Sequence, residues 1–126
     1  MWTERKLRNL AQKLLVQLKV RGAILDIFLL PNRDIKILKA KFIKKKTEPN
    51  VLSFTEPLHF PHPETRKKYL GEIYLNEDIL KKNPGRAAPL LLHGILHLLG
   101  RDHETKRERE EMEGLERKIL ENATIV

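Results

Sequence analysis

The sequence predicts an α/β fold, one compact unit in which helices and short strands alternate. Three observations lead there. Segments with apolar residues at helical spacing are separated by short apolar runs bounded by glycine and proline. No repeat, low-complexity tract or linker interrupts them. At 126 residues the chain builds one core but not two, so residues 1–126 are read as a single domain.

The elements follow in order. Thr3 is placed to cap a first helix running to about Lys19, with Leu7, Leu10, Ala11, Leu14, Leu15 and Leu18 on one face. Ala23 to Leu30 is an apolar run between Gly22 and Pro31 and reads as a strand. Asn32 or Asp34 caps a second helix whose Ile35, Leu38 and Phe42 share a face. Val51 to Thr55 is a second strand, and the proline-rich stretch from Glu56 to Glu64 an irregular loop. Tyr69 to Leu75 is a third strand, and Asn76 caps a short helix from Glu77 to Lys82. Asn83-Pro84-Gly85 breaks the chain before an apolar helix that carries histidines. Thr105 to Asn122 is a final, highly charged helix with Met112, Leu115, Ile119 and Leu120 at helical spacing. The order of strands in the sheet is not readable from this pattern.

Chemistry concentrates in the apolar helix and its exit. His93-Gly94-Ile95-Leu96-His97 is followed by Leu98-Leu99-Gly100-Arg101-Asp102-His103. Residues four apart lie one helical turn above each other, so His93 and His97 can point at one ion. Two such histidines alone are more often core or surface residues than ligands. The third changes this: Gly100 suits the left-handed turn that ends a helix, and that turn brings His103 back to the same face. Three neutral imidazoles suit a tetrahedral zinc ion with its fourth position open. Histidines and glycine fall where the zinc-protease pattern H-E-x-x-H-x-x-G-x-x-H has them, but the general-base glutamate is Gly94 here. Gly94 either lets substrate or another backbone approach or permits close helix packing.

Composition narrows the partners. Hydrophobic residues make up 40% and charged residues 33%, a soluble globular balance. There is no cysteine, which excludes disulfides and cysteine zinc sites and leaves histidine and carboxylate as ligands. The N-terminus lacks the apolar core of a signal peptide, and Ala87 to Gly100 is too short to span a bilayer. A soluble, cytoplasmic protein with no membrane association is therefore expected. Net charge is +8, with a pI near 9.8, as for a protein with a polyanionic partner. Residues 104–121 hold seven Glu against five Lys and Arg, net −2, so the remainder carries +10. Lys36, Lys39, Lys41, Lys44, Lys45 and Lys46 form a run without an acid, and Arg66, Lys67 and Lys68 a second cluster. Lysine runs are commonly solvated surface; joined to a hydrolytic metal, they favour nucleic acid, with Lys44, Lys45 and Lys46 as RNA-binding candidates.

The segment His93-Gly94-x-Leu96-His97-Leu98-x-Gly100-x-Asp102-His103 resembles the signature of the YbeY family, bacterial ribosomal RNA maturation factors. Asn50-Val51-Leu52-Ser53-Phe54 is similar to the family's second motif, Leu70-Gly71-Glu72-Ile73 to its Leu-Gly-acidic-Ile strand, and Glu111-Met112-Glu113-x-Leu115-Glu116 to the start of its last helix. The resemblance implies a zincin-like domain with a small mixed sheet flanked by helices. It implies one zinc ion on His93, His97 and His103. The implied activity is single-strand-specific endoribonuclease action in small-subunit ribosomal RNA maturation and ribosome quality control. Implied partners are ribosomal RNA, the small ribosomal subunit and an Era-type GTPase. The chain departs from the family pattern at Arg101, usually tyrosine, and at Pro49, usually threonine. It also has Ile43 where a functionally linked arginine is common; either Lys44 beside it supplies the charge or activity is weaker.

Zinc on three neutral imidazoles keeps its charge, lowers the pKa of a bound water to about 7 and can polarise a phosphoryl oxygen. Without a glutamate at position 94, Asp102 is the nearest carboxylate to move a proton; it equally suits orienting a ligand or capping the last helix. Glu72 is a weaker candidate, Ser53 a residue that lines the cleft or an ordinary strand serine, and His59 and His62 remote loop residues. Three classes stay open: a metallo-endoribonuclease, a zinc peptidase of the metzincin type, and a non-enzymatic ribosome-assembly factor. Gly94 and the basic charge weigh against the second, and the lack of a fourth protein ligand weighs against a purely structural metal.

Overall fold

Leu7, Ala11, Leu14 and Leu15 recur at helical spacing and are all buried in α1 (Glu4–Gln17). Thr3 caps this helix as the sequence predicts, its hydroxyl accepting from the Lys6 N–H at 3.1 Å. The helix ends before Lys19, which adopts a left-handed φ of 60°, while the Val20 N–H returns to the Leu15 carbonyl. The structure is a computed structural model and describes residues 1–42, 50–54, 68–100 and 106–123. Its further elements are β1 (Ala23–Leu30), α2 (Asn32–Phe42), β2 (Val51–Phe54), β3 (Lys68–Asn76), α3 (Glu77–Lys82), α4 (Ala87–Leu98) and α5 (Lys106–Ala123). A 3₁₀ turn, Pro84–Arg86, leads into α4. The expected 56–64 loop, with His59 and His62, lies outside the described residues.

Among the described residues the sheet is mixed and three-stranded, in the order β1-β3-β2. β1 runs parallel to β3, and β2 antiparallel to it. Side chains alternate between the faces, so the register sorts them. Val51, Ile27, Ile73 and Leu75 face α1, α4 and α5 and form the main core with Leu91, Leu92, Ile95 and Ile119. On the other face, Leu52 and Tyr74 meet Ile35 of α2, with Phe28 stacked on the Tyr74 ring at 4.9 Å. Among the described strands β1 lies at an edge, and Glu4 blunts it by accepting the Leu29 N–H at 3.0 Å. Among the described residues no helix is long and apolar enough to cross a membrane.

Neither Asn32 nor Asp34 caps α2. The helix starts one residue after Pro31, whose carbonyl accepts from the Asp34 and Ile35 N–H groups. The Asn32 N–H is instead bound by the Asp78 carboxylate of α3 at 2.7 Å, a cap supplied from a distant part of the chain. Asn76 does cap α3 as predicted, its carbonyl oxygen accepting from the Ile79 N–H. The same fully buried side chain donates to Asn32 Oδ1 at 2.8 Å and toward Asn50 Oδ1 at 3.4 Å, joining the ends of β3, α2, β2 and α3.

Asn76→Ala should therefore cost about 2–4 kcal/mol, from a lost cap and the lost amide donor to the half-buried Asn32 carbonyl oxygen. Urea unfolding at constant m-value measures it. A loss below about 1 kcal/mol would show that this amide does not join the four elements.

Candidate metal centre

α4 is buried on nearly every side. Ala87, Leu90, Leu91, Leu92, Ile95, Leu96 and Leu98 all enter the core, leaving a stripe through Pro89, His93 and His97 in contact with solvent. Histidines four apart thus stand on the accessible stripe of an otherwise buried helix and not in its core. Their rings lie 4.5 Å apart between centroids, and the two Nε2 atoms approach to 3.0 Å. Two ligand nitrogens on a tetrahedral zinc, each at ~2.0–2.1 Å, sit roughly 3.4 Å apart, so the observed spacing fits a shared ion with slight opening. A carboxylate stands behind the pair: Glu116 Oε1 of α5 is 3.6 Å from His93 Nδ1. Sequence reasoning gave Glu116 no role, because its place depends on how α5 is rotated against α4.

Beyond Leu98 the chain turns as expected. Gly100 has φ +82°, and its N–H bonds the His97 carbonyl. His103 and Asp102 lie outside the described residues, as do Lys44, Lys45, Lys46 and Ile43. Among the described residues no group of three or more potential ligands gathers. His93 and His97 are the part of the expected triad that is brought together here.

Gly94 faces the sheet. A Cβ there would lie 3.2 Å from Ile73 Cδ1 and Cγ2 and 3.3 Å from Val51 Cγ2. Of the two readings of this residue, close helix packing is the one the geometry bears out. Gly71 of β3 serves the same contact from the other side. It holds φ +142°, and a Cβ would collide with the Phe54 carbonyl oxygen and lie 2.9 Å from Leu98 Cδ2.

The remaining candidates divide between the two faces. Ser53 pairs with Ile73 on the α4 face, as a cleft residue would. Glu72 pairs with Phe54 on the opposite face, buried, where it accepts the Tyr74 hydroxyl at 3.1 Å. A proton acceptor for the histidine site is not found there. Next to it Tyr69 donates to Asp26 at 3.1 Å. Burial first, and then the neighbouring carboxylates, raise both phenols above their ordinary range and keep them protonated as donors.

Comparison with known proteins decides the family. The family model described as Endoribonuclease YbeY matches residues 1–124. The chain belongs to the YbeY endoribonuclease family. It is similar to proteins named Endoribonuclease YbeY from Chelativorans sp. (37% identity, 82% of this chain, 68% of the relative) and Nitrobacter hamburgensis (37%, 78% and 57%). A third, from Myxococcus xanthus, is 36% identical over 92% of this chain and 42% of its own length. The chain thus spans about two fifths to two thirds of the length of these relatives.

Gly94→Glu should not introduce a protease base. The carboxylate would enter the contact between α4 and the sheet, where a buried unpaired charge costs several kcal/mol. The variant is expected to be insoluble or to melt at least about 10 °C lower. Gly94→Ala, overpacked but a better helix former, should lose no more than about 2 kcal/mol. A soluble Gly94→Glu protein with wild-type melting would place this position in the open cleft.

Proposed function

We propose that this chain is a zinc-dependent endoribonuclease that cuts single-stranded RNA, with its role in small-subunit ribosomal RNA maturation and ribosome quality control. Membership in the YbeY family supports the reaction class. The observation that carries the metal reading is the convergence of His93 and His97 Nε2 atoms on the accessible stripe of α4. His103, entering after the Gly100 turn, is the proposed third ligand. Ribosomal RNA on the small subunit and an Era-type GTPase are the proposed partners, in the cytoplasm.

The chain's own residues divide the work. His93 and His97 would hold the ion from a helix whose other faces are buried in the core, with His103 as the proposed third ligand. When bound, zinc supplies a Lewis acid that activates water and offsets charge on a phosphoryl oxygen. Asp102 beside His103 is the proposed group to take or return a proton, with orientation of the ligand as its other task. A phosphodiester gains negative charge at phosphorus oxygens as it reacts, and Lys44, Lys45 and Lys46 are proposed to bind the RNA backbone and offset it. A peptidase reading loses ground to the packing at Gly94, which leaves no space for the base that zinc proteases use.

Metal analysis of the purified protein, paired with cleavage of a single-stranded RNA with and without chelator, tests the proposal. His93→Ala, His97→Ala and His103→Ala should each remove most bound zinc while the protein stays folded. A triple variant that still copurifies with one equivalent of zinc would refute the site.

Changing Lys44, Lys45 and Lys46 together to Ala should weaken RNA binding and spare zinc. The slope of log affinity against log salt should flatten by about 0.7 for each phosphate the protein no longer neutralises. An unchanged slope would move the RNA path elsewhere, with Arg66 to Lys68 the next surface.

A further inference from the structure

Glu116 approaches His93 from the side away from His97. Its Oε1 lies 3.6 Å from His93 Nδ1, while His93 Nε2 lies 3.0 Å from His97 Nε2. We propose that Glu116 is a positioning residue, which holds the His93 imidazole with its Nε2 lone pair toward the metal. This rests on the reading of His93 as a ligand and adds a function for α5.

The chemistry of the two groups fixes the direction of the effect. A carboxylate accepts hydrogen bonds and cannot donate them when ionised, and a neutral imidazole carries one N–H. With Glu116 at Nδ1, the proton belongs on Nδ1 and the lone pair on Nε2, the atom that faces His97. The ring is then set for an ion, and its outward nitrogen is engaged by the glutamate. At 3.6 Å the contact is longer than a formed hydrogen bond, and the long glutamate side chain can close it without moving its helix.

The backbone of α5 is anchored at this point. Ile119 is buried in the main core and Leu115 packs against it, so Glu116 stands between two apolar contacts that press α5 onto its neighbours. The pair is also sheltered: His93 and Glu116 side chains are 22% and 24% exposed, against 89% and 64% for the Arg107–Glu111 pair on the same helix. Sheltering lessens screening by solvent, so this contact has the means to orient a ring where a surface pair does not.

Zinc affinity of wild type, Glu116→Ala and Glu116→Gln, measured by competition with a chromogenic chelator, tests the assignment. Absorption of the cobalt-substituted proteins and melting of the metal-free proteins complete it. Glu116→Ala should bind zinc about 10- to 100-fold more weakly, and Glu116→Gln, which keeps an acceptor, should lose less. The cobalt bands should hold their positions and intensities, and metal-free melting should shift by no more than a few degrees. Unchanged zinc affinity in both variants overturns the proposal. So does an altered cobalt spectrum with a loss above about 1,000-fold, which would make Glu116 a ligand. Should Glu116→Ala fail to fold, the glutamine variant decides alone. Wild-type protein that takes up no more zinc than His93→Ala would overturn the metal centre itself, an outcome distinct from failure of Glu116.

Discussion

Helix α4 meets the sheet at a distance set by glycine on both sides. Gly94 places the helix backbone against Ile73 and Val51, and Gly71 lets β3 pass beneath Leu98 and the Phe54 carbonyl. The rest of the molecule depends on this contact. With the helix held so close, Leu91, Leu92, Ile95 and Leu96 fill the space shared with α1, α5 and the strands. The face left over is the narrow one with His93 and His97. Packing thus fixes where the two imidazoles stand and prevents a base of the protease kind from standing beside them.

The sheet divides two kinds of polar chemistry. On the α4 face the core is apolar up to the histidine stripe. On the α2 face, Asp26 and Glu72 accept from the Tyr69 and Tyr74 hydroxyls, and the Phe28 and Phe54 rings pack against Tyr74. Carboxylates held in that way serve the fold. Raised phenol pKa values there follow from burial beside acids and indicate donors that stay protonated, not groups exchanging protons with a substrate. Asn76 works at the boundary, its amide spanning the cap of α3 and the starts of α2 and β2.

Charge and metal geometry combine in one functional picture. A polyanionic substrate suits a chain of net charge +8, and the paired imidazoles suit a hydrolytic ion. Family membership supplies the reaction class, and a metal on the histidine pair is its proposed means. Glu116 extends this picture to α5, whose acidic surface otherwise stands apart from the basic remainder of the chain. One of its glutamates faces inward because Leu115 and Ile119 seat the helix at that angle.

Much of this was legible in local sequence. Thr3 and Asn76 cap their helices because each has a short side chain three residues before the N–H it binds, a relation that needs no tertiary structure. β1 and α4 were bounded by Gly22, Pro31 and Gly100, whose backbone preferences act on their immediate neighbours. His93 and His97 share a face by helical periodicity alone. Tertiary structure decided the rest. α2 takes its cap from Asp78, a residue no local rule connects to it. Strand order, the direction of Gly94 and the side of the sheet taken by Glu72 all depend on which faces meet. Glu116 reaches His93 only because α4 and α5, consecutive in the chain, bury apolar residues in one core, which sets the rotation of one helix against the other. Capping and periodicity act within a few residues, whereas burial joins residues anywhere in the chain, and this chain's site depends on both.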